Sequence, residues 1–300
     1  MRIVLVEQSR VGVMILCAML GDSGHEVIAF RDGGEALAFI QADETVDVLI
    51  TSLEVPTVSG FQLCWEARLL IEQSRALYVI AMSSTYDGRS LRKALDSGAD
   101  DFIMKPPDKQ QLQARLRAAE RMLAAQRKLI ALANHDPLTN LLNRRAFMER
   151  AQAAHERTVG AKGAAMALIV DIDHFKRVND TYGHDIGDDV IRHMGVLIDR
   201  CGAIGGRLGG EEFAIFLENC GRVEGLAVAE ALRADVAKSE FTTQSDVMQV
   251  TVSIGLAELL VGDSLRTLLK RADQALYAAK DGGRNRVVVS SAVTCLQDVA

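Results

Sequence analysis

Short apolar runs alternate with amphipathic stretches through the first third of the chain. Ile3–Glu7, Glu26–Phe30, Val46–Thr51, Tyr78–Met82 and Asp101–Met104 read as strands buried on both faces. Val11–Leu20, Glu35–Gln41, Phe61–Ile71 and Arg89–Ser97 carry the helical period between them. Five strand–helix units of this size predict a compact doubly wound α/β domain with a parallel sheet. Its ligand crevice is expected at the carboxyl ends of the strands.

From Asp108 to about Ala133 the pattern becomes one long helix. Leu112, Leu116, Ala119, Leu123, Gln126, Ile130 and Ala133 step alternately by four and three. This spacing predicts a coiled-coil seam with Gln126 as a polar register position, and so a parallel dimer. A single amphipathic helix packed on its own domain would show the same spacing. Three segments are therefore expected: a domain over 1–120, a helical linker over 108–134 that overlaps its last helix, and a second domain over 135–300.

The second domain reads as mixed α/β. Helix Thr139–Arg157 leads to strand Met166–Ile172, and helices flank Gly183–Gly187. Two apolar stretches then enclose Gly209-Gly210-Glu211-Glu212-Phe213, a hairpin signal with glycine where φ > 0 is cheap. Helix Val223–Lys238, strand Val250–Leu256, helix Ser264–Lys280 and strand Arg286–Val289 complete it. An antiparallel hairpin inside such a domain suggests a cyclase or polymerase-palm-like fold.

Composition narrows the class. The 300 residues are 49% hydrophobic and 25% charged, ordinary for a well-cored globular protein. A net charge of -6 without a basic block argues against binding a nucleic-acid polymer. Cys17, Cys64, Cys201, Cys220 and Cys295 are scattered without CxxC spacing, as expected of reduced thiols. The apolar start Met1–Val6 is broken by Glu7, Gln8, Ser9 and Arg10, and no run reaches the ~18 apolar residues that cross a bilayer. A cytoplasmic protein without membrane insertion is expected.

The candidate chemistry lies in the second half. Strand Ala167–Val170 delivers Asp171-Ile172-Asp173 at its carboxyl end, opposite the double-glutamate turn. Acids on two sides supply an oxygen cage suited to Mg²⁺ that also holds phosphate oxygens and water. Successive strand residues alternate faces, so only one of Asp171 and Asp173 should face the metal, and Asp171 is the choice. Lys176 can reach a phosphate as a point charge. Asn179 and Asp188 offer an amide and a carboxylate for a purine edge, and a carboxylate accepting two N–H groups selects guanine. Lys280-Asp281-Gly282-Gly283-Arg284-Asn285 sets two cations around a glycine turn, again suited to a polyphosphate.

Taken together, residues about 135–289 resemble the GGDEF family of diguanylate cyclases. The resemblance rests on Asp136-Pro137-Leu138-Thr139-Asn140-Leu141-Leu142-Asn143-Arg144-Arg145, Asp171–Lys176, Asn179–Asp188, Gly209–Phe213 and Lys280–Asn285. Glu211 is an accepted variant of the family aspartate, and Asn140 replaces the usual glycine. The resemblance implies that Asp171, the Ile172 carbonyl and Glu211 hold Mg²⁺, with Mn²⁺ as a substitute. It implies that Glu212, or Glu211 with it, helps deprotonate the ribose 3′-hydroxyl, and that Lys176, Lys280 and Arg284 bind phosphates. Asn179 and Asp188 would read guanine, with His184 and Leu138 lining the pocket. Two facing domains would each bring one GTP, so a homodimer is required. Product-inhibited members carry Arg-x-x-Asp before the signature; here Arg200-Cys201-Gly202-Ala203 keeps the arginine and loses the carboxylate.

Residues 1–120 resemble a response-regulator receiver, with Lys105-Pro106 after the fifth strand, Phe102 at the aromatic switch position and Ser83 as the phosphoryl-contacting hydroxyl. The acidic set is broken. Glu7-Gln8 stands where two acids belong, and Ser52 replaces the phosphoacceptor aspartate. A serine cannot form the acyl phosphate, so the domain reads as a pseudo-receiver for dimerisation or an unknown protein partner. Two functions compete: an active cyclase, favoured by Asp171, Lys176, Glu211 and Glu212, and a catalytically silent GTP- or cyclic-di-GMP-binding scaffold. Production of cyclic di-GMP from GTP separates them.

Overall fold

The computed structural model describes residues 1–72, 75–85, 88–242 and 247–290. Cys295 lies outside the described residues. The chain divides into two compact units, Met1–Ala131 and Leu132–Ala300.

The first unit alternates β1 (Arg2–Val6), α1 (Arg10–Gly21), β2 (Glu26–Phe30), α2 (Gly33–Ala42), β3 (Val48–Ser52), α3 (Gly60–Glu72), β4 (Tyr78–Ser83), α4 (Gly88–Asp96), β5 (Asp101–Met104) and α5 (Lys109–Asn134). The strands form one parallel sheet in the order β2-β1-β3-β4-β5. Every residue of β3 and β4 is buried, because helices cover both faces of the sheet. Phe102 is buried among the apolar residues of one of those faces. Burial pushes the Cys64 thiol up to about 12, which makes it a packing residue.

The long helix corrects one expectation. Leu112, Leu116, Ala119 and Leu123 are 0–2% exposed and pack with Ile3, Leu5, Ile50 and Ile80 of their own sheet. Gln126 donates to the Arg75 carbonyl, 3.4 Å away in the same unit. These five positions are thus committed within the chain and cannot form a coiled-coil seam, whereas Ile130 is half-buried and Ala133 exposed. A second apolar stripe on α5 is left outward: Met122 (59% exposed), Ala125, Leu129 (67%) and Leu132 (60%). It too alternates steps of three and four.

The second unit runs β6 (Leu142–Asn143), α6 (Arg144–Gly160), β7 (Ala165–Ile172), α7 (Phe175–Tyr182), α8 (His184–Asp199), β8 (Ile204–Gly209), β9 (Glu212–Glu218), α9 (Arg222–Lys238), β10 (Glu240–Thr242), β11 (Val247–Gln249), β12 (Val252–Glu258), α10 (Leu265–Asp281) and β13 (Val287–Val289). A six-stranded sheet has the order β13-β12-β7-β9-β8-β6, with β7 central and antiparallel to both neighbours. Phe147, Phe213 and Phe216 are fully buried against it.

The expected helix Thr139–Arg157 starts later, at Arg144. Asp136 instead ties residues 138–139 into a turn by accepting the N–H groups of Leu138 and Thr139. Asn143 then caps the helix by accepting the Ala146 N–H at 3.0 Å. The short strand β6 and the β10–β11 hairpin carry too few residues for a periodic signal.

Candidate active site

Two neighbouring strands and one helix end build the site. β7 pairs with β9 so that Asp171 faces Glu212, and with β12 so that Asp171 also faces Ser253. Asp171 is therefore held on both sides in the middle of the sheet and is 6% exposed. The Lys280 ammonium, from the last turn of α10, lies 2.7 Å from its Oδ2. Burial pushes the Asp171 carboxyl above its ordinary range; Lys280 opposes that rise, and the charges of Glu211 and Glu212 add to it.

The β8–β9 turn needs its glycines. Gly209 and Gly210 have φ values of 150° and 51°, and a Cβ on either would meet no atom within 4 Å. The left-handed backbone demands glycine, and the space beside it stays open for a large ligand. Glu211 is partly buried, and its carbonyl accepts the Ile172 N–H at 3.4 Å. Glu212 is exposed.

Asp173, the acid set aside in the sequence, is fully engaged. Its Oδ1 accepts from the Ser253 hydroxyl at 2.7 Å, and its Oδ2 accepts from the Thr251 hydroxyl at 2.7 Å and the Asn285 N–H at 3.0 Å. It has little capacity left for a cation. Gly283, Arg284 and Asn285 have successive φ values of 110°, 61° and 45°, a left-handed run that the Asp173 carboxylate holds by one of its N–H groups.

The candidate base-reading residues come from two short helices. An added Cβ on Gly187 would lie 1.9 Å from the Asn179 Oδ1, so the Asn179 amide lies where it does against α8 because residue 187 carries no side chain. This contact brings Asn179 beside the turn of α8 that carries Asp188. Asp188 is about half exposed and weakly paired with Arg192 at 3.9 Å. His184 is exposed at the first position of α8, and Leu138 packs partly buried on the core. Lys176 is exposed on α7. Among the described residues, the side chains of Lys176, His184 and Arg284 make no ion pair or hydrogen bond, so they remain available to an anionic ligand.

The sequence missed Arg207. Its Nε and Nη2 donate to the Gly210 carbonyl at 2.9 and 2.8 Å, and its Nη1 donates to Asp136 at 3.0 Å. It clamps the double-glycine turn to the turn at residues 136–139. Burial of Asp136 works against its charged form, but Arg207 and Thr139 more than offset this and hold its carboxyl below the usual range. An arginine two residues before a glycine pair was the available signal. Asn140 sits at φ 59°, a left-handed position that asparagine tolerates in place of glycine.

Among the described residues, no three His, Cys, Asp or Glu side chains form a closed metal cage. Asp171 and the turn glutamates stand at neighbouring strand ends, and the Lys280 ammonium rests on Asp171 Oδ2. Such a donor set fits a hard cation that keeps water and phosphate oxygens. At residues 200–203, Arg200 is exposed at the end of α8 and Ala203 packs its methyl against the core, so no carboxylate stands there.

In the first unit, Glu7, Ser52, Ser83 and Lys105 gather at the carboxyl ends of the strands. Lys105 donates to the Ser52 hydroxyl at 2.6 Å and also pairs with Glu7. Ser52 is fully buried and Glu7 is 5% exposed. Ser83 accepts the Thr85 N–H at 3.1 Å.

A parallel receiver-type sheet followed by a cyclase-type sheet with acids at a central strand end defines a two-part signalling protein. The profile of the diguanylate cyclase GGDEF domain matches residues 133–286, and that of the response regulator receiver domain matches residues 3–117. The chain belongs to the GGDEF family and carries an N-terminal receiver domain. It is 33% identical over 309 residues to the response regulator PleD of Caulobacter vibrioides, across 97% of this chain and 66% of that protein. The chain thus spans just under two thirds of the length of PleD. It is 38% identical over 161 residues to the diguanylate cyclase DgcM of Escherichia coli, across 53% of this chain and 38% of that protein. A solved structure of the coiled coil and GGDEF domain of DgcB from Caulobacter crescentus, in complex with c-di-GMP, matches with a TM-score of 0.55. That match has 35% identity and covers 60% of this chain and 99% of that one. No helix of the described residues is long and apolar enough to cross a membrane.

Proposed function

We propose that the chain is an active diguanylate cyclase that condenses two GTP into cyclic di-GMP and releases two pyrophosphates. The observation that carries this reading is the convergence of Asp171, in register with Glu212, and Lys280 at 2.7 Å, beside a backbone turn left open by two glycines. Asp171, the Ile172 carbonyl and Glu211 hold Mg²⁺ or Mn²⁺. The metal, when bound, neutralises charge on the triphosphate.

The chain's own groups do the rest. Lys176, Lys280 and Arg284 draw the phosphates into place. Asn179 and Asp188 read the guanine edge, with Leu138 and His184 along the base. Glu212, with Glu211 beside it, takes the proton from the ribose 3′-hydroxyl. The freed oxygen bonds to the α-phosphorus of the partner subunit's GTP, and the bond from that phosphorus to the pyrophosphate oxygen breaks. Two such transfers close the ring. Positioning and charge neutralisation supply most of the rate.

Each subunit brings one GTP, so a homodimer is required. The outward stripe Met122, Ala125, Leu129 and Leu132 gives a second copy its seam, in place of Leu112, Leu116, Ala119 and Leu123, which point inward. Residues 1–120 act as a receiver-like module with a protein partner, 108–134 as the linker and 135–300 as the cyclase, in the cytoplasm. Regulation proceeds without aspartyl phosphorylation, because the Ser52 hydroxyl is buried and bonded to Lys105. The missing carboxylate at Ala203 removes tight product inhibition through Arg200.

The test is incubation of the purified chain at micromolar concentration with GTP and Mg²⁺, with the nucleotides separated by chromatography. Cyclic di-GMP is expected from the wild type and none from Glu211→Ala. Its absence from both overturns the reading and leaves a nucleotide-binding scaffold.

A further inference from the structure

Lys280 is paired with the carboxylate proposed above as a metal ligand. Its ammonium lies 2.7 Å from Asp171 Oδ2, a charge-assisted contact in which the Asp171 side chain is 9% exposed and that of Lys280 is 33% exposed. The two partners differ in freedom. Asp171 is pinned between β9 and β12, opposite Glu212 and Ser253. Lys280 is in the last turn of α10 on a four-carbon stem, followed by the left-handed run 283–285. If one of them moves, it is the lysine.

The charges give the movement a reason. Asp171, Glu211 and Glu212 bring three acids to one strand end, and Lys280 is the cation paired with Asp171 among the described residues. Leaving a buried carboxylate unpaired is costly. A divalent ion takes over that pairing and repels the ammonium from it. The displaced lysine then needs a new anion, which the triphosphate supplies. Conversely, a triphosphate that draws Lys280 away uncovers Asp171 for the metal.

We propose that Lys280 is an exchangeable counter-ion that passes between Asp171 and the triphosphate and thereby makes metal and nucleotide bind cooperatively. The inference rests on the cyclase reading for its nucleotide half. Coupling of this kind is reciprocal: whatever factor the nucleotide gives the metal, the metal gives the nucleotide.

The experiment follows Mn²⁺ binding by the loss of its free-ion electron paramagnetic resonance signal, in the full chain without nucleotide. Lys280→Met is expected to bind Mn²⁺ about five-fold more tightly than wild type, the low end of ordinary coupling factors. Lys280→Arg, which keeps the charge, should stay within about two-fold of wild type on that scale. Asp171→Asn should lose the site in either background. With the non-hydrolysable analogue α,β-methylene GTP, wild-type Mn²⁺ affinity should rise and that of Lys280→Met should rise much less. Equal or weaker Mn²⁺ binding by Lys280→Met without nucleotide overturns the exchange. Failure of the analogue to bind wild type would instead overturn the cyclase reading, while the nucleotide-free comparison still decides the role of Lys280. Circular dichroism of each variant confirms that it is folded.

Discussion

Asp173 accepts the backbone N–H of Asn285 at 3.0 Å and so joins two positions 112 residues apart in the chain. One carboxylate holds the end of β7, β12 and the cationic turn together. Asp171 and Asp173 are separated by one residue, yet one meets the Lys280 ammonium and the other three hydrogen-bond donors.

Asp173→Ala should therefore lower both stability and turnover. Removing an acceptor that satisfies three donors costs about 2–4 kcal/mol. The left-handed run at 283–285 loses its tether, and Arg284 loses its aim. GTP turnover should fall by about 100-fold, as for an ångström-scale misplacement. Asp173→Asn keeps the acceptor for Ser253 and should recover part of the stability. Thermal unfolding and steady-state kinetics check both; a fully active Asp173→Ala would remove the clamp from the account.

Arg207→Ala frees the Gly210 carbonyl and leaves Asp136 without its main partner. Turnover should drop about 10–100-fold through the displaced Glu211. The acid side of the stability curve should change as well. The folded-state value of Asp136 lies below the unfolded value of ~3.9, so its stabilisation is complete above that pH and is lost as pH falls through the lower value. Arg207→Ala should flatten this loss. Urea unfolding between about pH 2 and 5 measures it.

The two stripes of α5 separate fold from assembly. Leu116→Glu puts a charge into the first unit's core and should cost more than ~3 kcal/mol. Leu129→Glu with Leu132→Glu should leave each chain folded, shift sedimentation to the monomer and abolish turnover. A doubly substituted protein that stays dimeric would assign the dimer to another surface.

Asp188→Ala should relax base selection. A site built to pair guanine N–H groups rejects analogues lacking them because its own acceptor would be left unpaired. The preference for GTP over ATP should fall by at least about ten-fold, read from competing turnover of the two nucleotides. An unchanged preference would move guanine recognition away from Asp188.

Acetyl phosphate or beryllofluoride with Mg²⁺ should change neither oligomeric state nor activity, since Lys105 holds Ser52 and Glu7 at the strand ends. A clear response in sedimentation or product formation would reinstate a phosphoryl switch.

Local pattern carried much of this molecule. Apolar runs and helical periods marked the strands and helices, and the order of the Asp171, Gly209–Phe213 and Lys280–Asn285 motifs carried the family. Only tertiary structure decided which of two apolar stripes on α5 faces inward, because both repeat every three and four residues and only the sheet beneath chooses one. The same holds for the partners of Asp171, Asp173 and Arg207. Their partners come from strand register and from turns distant in the chain, and no local spacing encodes a hydrogen bond across 112 residues.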